Sequence, residues 1–243
     1  MPSSTDYKRH AAIKLLIQGA PKSGKTTLAL HWPKAWILDA DNNLSGPIRT
    51  REQLGVSTPF NYDSPLLGPD GSALPPEKQW SRCLALTDAA KESGLYDTII
   101  WDSLTTMSRM CIDYIMHLQE PAEFRKGTAK PKIQHYGDFG NIMTQAIVKY
   151  ANWGKHFIAI CHEAVDKDEF DQVLVYRPAL IGQLKHTVGA FFSDVWSCET
   201  KPKGDDFEYR IRTRSTNQRN LGNSLGLPPS FVFNWNEIAK QLV

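Results

Sequence analysis

Residues Gly19-Ala20-Pro21-Lys22-Ser23-Gly24-Lys25-Thr26 fit the pattern G-x-x-x-x-G-K-[ST] and stand between an apolar run at 13–18 and a helical stretch at 25–32. The pattern demands a strand, a tight glycine-rich turn and a helix in direct succession, because its backbone N–H groups must curl around phosphate oxygens where the helix begins. It therefore constrains both the local fold and the ligand. In this reading Lys25 reaches the β and γ phosphates of ATP and the Thr26 hydroxyl is a magnesium ligand, while Thr27 continues the helix at the rim of the same site. The plainer alternative is a glycine turn with no ligand.

The rest of the chain alternates apolar runs with helical stretches, the order that builds a mostly parallel sheet flanked by helices. Strands are expected at 13–18, 35–39, 98–101 and 156–161, and helices at 25–32, 80–93, 103–118 and 136–153. Residues 45–79, rich in Gly, Pro, Ser and Asp, read as a long connection around one short strand near 59–62. Beyond 161 the pattern changes to antiparallel strands at 172–176, 194–199 and 207–213, the last two joined through Lys203-Gly204-Asp205. A final short helix carries a capping box, Asn234 with Glu237. Residues 1–9 read as a loose tail and 10–243 as one domain.

Composition excludes several classes. Apolar residues make up 41% and charged residues 22% of the 243, as in ordinary globular chains, and the formal net charge is only +2. A polyanion would have to be held by local patches rather than by a global field. Four widely separated cysteines show no zinc or redox spacing. There is no apolar run long enough to cross a bilayer, and the expected compartment is the cytoplasm.

Carboxylates are expected at the sheet edge that carries the glycine loop. Asp102 closes the run Thr98-Ile99-Ile100-Trp101, where a magnesium nucleotide site needs a carboxylate; it would also cap the helix that follows. Asp39 and Asp41 close the second strand. Asp41 is the better placed to orient an attacking water, with Asp39 structural, although both also suit a turn into Asn42 and Asn43. His162, directly after the strand at 156–161, falls at the same edge as a γ-phosphate sensor or as an ordinary loop histidine.

These segments, in this order and spacing, resemble the core of RecA-type ATPases. More closely they resemble the phage-encoded nucleotide-binding AAA-domain proteins, which include the Sak group of short RecA-like single-strand annealing recombinases. The resemblance puts Asp41 where that family has its catalytic glutamate, one methylene longer, and His162 where RecA has the glutamine that links γ-phosphate to its DNA loop. It implies an ATP- and Mg2+-dependent hydrolase in the host cytoplasm. It further implies a homo-oligomer with nucleotide at the subunit boundary, single-stranded DNA as partner, and a single-strand DNA-binding protein as an additional partner.

Arg210, Arg212 and Arg214 alternate on an expected strand and Arg219 follows. By the same resemblance Arg214 and Arg219 would be presented to a neighbour's nucleotide, the alternative being an exposed basic strand face. Arg125, Lys126, Lys130 and Lys132 stand against Glu123 alone in the basic loop at 121–135, flanked by Phe124 and Tyr136. That mixture suits single-stranded DNA, and equally a solvated loop. Segment 163–176 is acidic through Asp166, Asp168, Glu169 and Asp171 and is not assigned to DNA. Two rival functions remain: a phosphate-loop kinase of a small molecule or nucleotide, and a nucleotide-switched assembly or loader protein with weak turnover.

Overall fold

A computed structural model describes residues 12–56, 58–167, 174–204 and 206–242. The expected tail at 1–9, the start of the strand expected at 172, Asp168, Glu169, Asp171 and Asp205 lie outside the described residues.

In chain order the elements are β1 (Lys14–Gly19), α1 (Lys25–Ala29), β2 (Ala35–Asp39), α2 (Ser45–Gln53), β3 (Asn61–Asp63), α3 (Pro76–Glu92), β4 (Thr98–Asp102), α4 (Leu104–Gln119), α5 (Pro121–Arg125), α6 (Ile133–Ala151), β5 (His156–Lys167), β6 (Leu174–Pro178), α7 (Leu184–Thr187), β7 (Asp194–Lys203), β8 (Asp206–Arg212), β9 (Ser230–Val232) and α8 (Trp235–Ala239). The sheet runs β3-β2-β4-β5-β1-β7-β8-β9, with β6 added to β5. Neighbours from β3 through to β7 are parallel, and β8, β9 and β6 pair antiparallel. This is the expected α/β architecture with antiparallel strands towards the C-terminus.

The continuous apolar runs follow from burial on both faces. Along β1, Leu16 joins Trp36, Trp101, Phe157 and the helices α3, α4 and α6 in one core. Leu15 and Ile17 point the other way, with Ile37, Ile100, Ile158 and Trp196, against α1 and the C-terminal segment. Each strand thus packs two layers, which holds the carboxyl ends of β1, β2, β4 and β5 in one line. The register sets Gly19 beside His162 and Asp39 beside Asp102.

The connection at 45–79 is more ordered than expected. It holds α2, and α3 begins at Pro76, four residues before the expected Trp80. Proline at a first helical position is favourable because its absent N–H has no helical partner to lose. The supposed loop at 121–135 likewise contains α5 and the first turn of α6. At the C-terminus Asn234 caps α8 by accepting from the Asn236 N–H, but Glu237 pairs with Lys240 at 2.9 Å and does not close a capping box. Among the described residues no helix is long and apolar enough to cross a membrane.

Candidate functional site

The chain leaves β1 at Gly19, where an added Cβ would lie 2.4 Å from the Cys198 carbonyl oxygen on β7, so only glycine lets the loop start this close to the sheet. Gly24 precedes α1 at φ +88°. Lys22 and Asn42, beside this loop, and Lys34, in the turn after α1, also adopt positive φ, at +64°, +51° and +40°. The Lys25 side chain is buried and its Nζ donates to the Gly19 and Ala20 carbonyls at 3.0 and 2.7 Å, leaving a third N–H for a ligand. Burial lowers its pKa, opposed by Cys198 and Asp102. Ser23 Oγ is buried with no hydrogen-bond partner among the described residues. Ala20, Pro21 and Lys22 form the exposed rim.

The Thr26 hydroxyl donates to Asp102 Oδ2 at 2.6 Å, bringing the two expected magnesium ligands together. Hydroxyl and carboxylate are hard oxygen donors of the kind Mg2+ takes when phosphate and water complete its shell. The fit therefore concerns a metal held jointly with nucleotide; among the described residues no cluster of three or more His, Cys, Asp or Glu would hold an ion alone. Burial pushes the Asp102 carboxyl up to about 7, with Asp41 and Asp39 adding to the rise and the Thr26 hydroxyl and Lys25 opposing it. Its carbonyl accepts from the Ala40 and Asp41 N–H groups at 2.6 and 3.3 Å, joining the ends of β2 and β4.

Asp41 is the centre of a network. Its Oδ1 accepts from Ser103 Oγ at 3.0 Å and from the Thr106 hydroxyl, and its Oδ2 lies 3.3 Å from His162 Nε2. Burial would raise its pKa, but the donors His162, Thr106 and Ser103 outweigh burial and hold it below the usual carboxylate range. His162 is fixed in turn by its backbone N–H, which donates to Thr105 Oγ1 at 3.0 Å. Asp39 is buried and accepts from the Asn43 N–H at 3.2 Å, in keeping with a structural role. Burial raises its pKa, chiefly against the Asn43 hydrogen bond.

The hydroxyls of Ser103, Thr105 and Thr106 were not singled out from sequence, although Ser103-Leu104-Thr105-Thr106 directly after Asp102 is the available signal. Ser103 caps α4 through the Thr106 N–H, and the same side chains turn inward to Asp41.

A cleft of about 390 Å³ opens over the loop, with Asp41, Asp102 and His162 along one side. Arg219, expected at a neighbouring subunit's nucleotide, makes a bidentate pair within its own chain. Its Nε and Nη2 donate to the two Glu163 oxygens at 3.0 and 3.2 Å, and its guanidinium stacks 3.7 Å from the Tyr176 ring centre. The two side chains are only 13% and 6% exposed, and Glu163 also accepts from Ser197. Withdrawing Arg219 would strand a buried carboxylate, at a cost of about 3–5 kcal/mol. Arg210 and Arg212 are similarly paired, with Glu208 and Glu199. Arg214 lies beyond the end of β8 and is exposed.

In the basic segment, the Lys132 ammonium pairs with Glu120, which raises the lysine's pKa, and Arg125 Nε donates to the Pro121 carbonyl at 3.1 Å. Lys126 and Lys130 are exposed, Tyr136 is 42% exposed, and Phe124 packs edge-on against His117. The C-terminal end of α6 meets the amino end of the sheet, where Lys14 Nζ donates to Asn152 Oδ1 at 2.5 Å. At about 1.5 Å per residue, the 19 residues of α6 span some 28 Å, and its start is tied to the end of α4 through the Lys132–Glu120 pair.

A family model described as AAA domain matches residues 11–222. Among solved structures, a KaiC-like protein of the hyperthermophilic archaeon Pyrococcus horikoshii OT3 aligns over 93% of this chain and 90% of its own, with 12% identity and a TM-score of 0.43. No curated protein matches the chain. With the phosphate loop seated between β1 and α1 and the match spanning most of the sequence, this chain belongs to the AAA domain family of nucleotide-binding P-loop ATPases.

Proposed function

We propose that this chain is a Mg2+-dependent, ATP-hydrolysing RecA-like protein that acts on single-stranded DNA in phage recombination, by annealing or strand exchange, as a homo-oligomer with nucleotide at the subunit boundary. The observation that carries the enzymatic part is the convergence of Lys25, Thr26, Asp102, Asp41 and His162 on one sheet edge. Magnesium held by Thr26, Asp102 and the nucleotide would neutralise charge on the phosphate oxygens. Lys25 directs its remaining N–H at the same oxygens, and Asp41 orients the attacking water while His162 fixes the carboxylate's Oδ2. The DNA part rests on the motif resemblance and on the exposed Lys126 and Lys130 beside Tyr136.

A second reading, a nucleotide-switched assembly protein with slow turnover, is favoured by one feature. Asp41 is one methylene shorter than glutamate, and both its oxygens already have partners, so it is a weak proton acceptor. Phosphate release from Mg-ATP, measured with and without single-stranded DNA and with candidate small acceptors, separates the readings. DNA-stimulated release supports the recombinase. A slow rate indifferent to DNA leaves the switch, and transfer to an acceptor instead of water leaves the kinase.

A further inference from the structure

The cleft over the phosphate loop has a second wall that the phosphate chemistry does not use. Strands β7 and β8 continue past the end of β1: Gly19 pairs with Cys198, whereas the β7–β8 ladder runs on from Cys198 and Ile211 to Lys203 and Asp206. This overhang places Tyr209 beside the loop, its Cδ1 3.1 Å from where a Cβ on Gly24 would stand. The Tyr209 carbonyl accepts from the Phe233 N–H at 2.9 Å, which sets Phe233 next to it. The same cleft is lined by Pro47 of α2 and by Leu54 directly after it, and at Gly46 an added Cβ would meet nothing within 4 Å. Tyr209 is 41% exposed and Leu54 56%, large apolar surfaces that line the same cleft as the phosphate loop.

We propose that this wall is a nucleobase slot. Tyr209 stacks on the base of the nucleotide whose phosphates the loop holds, with Phe233, Pro47 and Leu54 closing the slot around it. The inference rests on the phosphate-site reading above and adds the specificity of that site. Tyr209 adjoins Gly24, so the slot begins where the phosphate loop ends, and a ligand anchored by Lys25 carries its base into it. Ring faces and aliphatic carbons reward stacking area, which is larger for purines than for pyrimidines. The guanidinium of Arg210, on the same lining, is held by Glu208 through Nη1 while its Nε is buried without a partner among the described residues, so it is turned away from ring edges in the cleft, and the Asn43 N–H is on Asp39. Selection is therefore by ring size, with little distinction between adenine and guanine.

The test compares dissociation constants of the magnesium complexes of ATP, GTP, CTP and inorganic tripolyphosphate for the wild type, Tyr209→Ala and Tyr209→Phe. For one base on one aromatic ring, stacking makes ATP bind about 5- to 100-fold more tightly than tripolyphosphate. The expected results are GTP within about threefold of ATP, CTP weaker than both, loss of most of the ATP advantage in Tyr209→Ala, retention in Tyr209→Phe, and equal tripolyphosphate affinity in all three proteins. An undiminished ATP advantage in Tyr209→Ala would overturn the slot, as would a parallel loss of tripolyphosphate, which would mean that Tyr209 only shapes the loop. Tight tripolyphosphate binding without an ATP advantage in the wild type would overturn the slot and leave the phosphate site standing. A wild type that binds none of the four would overturn the phosphate site, and the slot with it.

Discussion

Asp41 is where a single side chain decides the chemistry. A carboxylate that accepts from Ser103, Thr106 and His162 is held in one orientation, so in the proposed hydrolysis it would place water more than remove a proton. Replacing it with Asn keeps the shape and removes the charge. Asp41→Asn is expected to bind Mg-ATP within a few fold of wild type and to release phosphate at least about 10²-fold more slowly, the range of a positioned acid–base group. Pre-steady-state and steady-state phosphate release measure it, and an unchanged rate would move the role to another residue. Arg219 shows the opposite situation: its bidentate pair with Glu163 and its stacking on Tyr176 make it a fastener between β5, β6 and the segment after β8.

At the scale of elements, α1 and α8 meet through His31. Its Nδ1 lies 2.6 Å from the Thr27 carbonyl, an acceptor only, so that nitrogen carries the proton, and the ring packs against Phe233 and Trp235. Burial lowers its pKa, with the Thr27 carbonyl opposing and Arg51 assisting. The unfolded chain therefore takes up a proton first. His31 therefore contributes stability that is fully present above about pH 6.5 and is lost as the pH drops through that unfolded value, with the half-buried His156 acting in the same direction and the raised carboxyl of Asp102 in the opposite one. Denaturant unfolding between pH 7.5 and 5 isolates this contribution as a difference in slope: as the pH falls, His31→Gln should lose less stability, or gain more, than wild type, even if its absolute stability is lower. An identical slope would show that His31 does not carry it.

The elements legible in the sequence were those with a strong local signal. Residues 13–18 and 98–101 are apolar because both sheet faces are covered, and the phosphate loop is defined by its own spacing. Helix α2, Ser45–Gln53, was not legible: Gly46 and Pro47 lie in its first turn, where glycine and proline are tolerated, yet in sequence they read as loop. The partners of Asp41 and of Arg219 were hidden for another reason. They depend on contacts across 62 and 56 residues of chain, which no local period encodes.

At the scale of the whole molecule, a net charge of +2 gives no long-range attraction for nucleic acid, so the proposed DNA affinity would have to come from local cations, of which those near α5 and α6 are the candidates. Each phosphate contact contributes a slope of about −0.7 in log affinity against log salt for single strands. Lys126→Ala with Lys130→Ala and Lys132→Ala is expected to weaken single-strand binding and make that slope shallower by about two contacts, since Lys132 is partly neutralised by Glu120. ATP affinity without DNA should stay near wild type. Unaltered DNA affinity and salt slope would make the segment ordinary solvated surface.

The central claim is that the loop and the carboxylates at the sheet edge form one ATP-hydrolysing site, and Lys25 tests it most directly. Among the described residues its ammonium donates to the Gly19 and Ala20 carbonyls and forms no ion pair, so the fold does not depend on a salt bridge through it. Phosphate release from Mg-ATP should be measured for wild type and Lys25→Ala, each shown to be folded by circular dichroism. A loss of at least about 10²-fold, with ATP binding abolished, is the expected result. Equal rates in the two folded proteins would contradict the account.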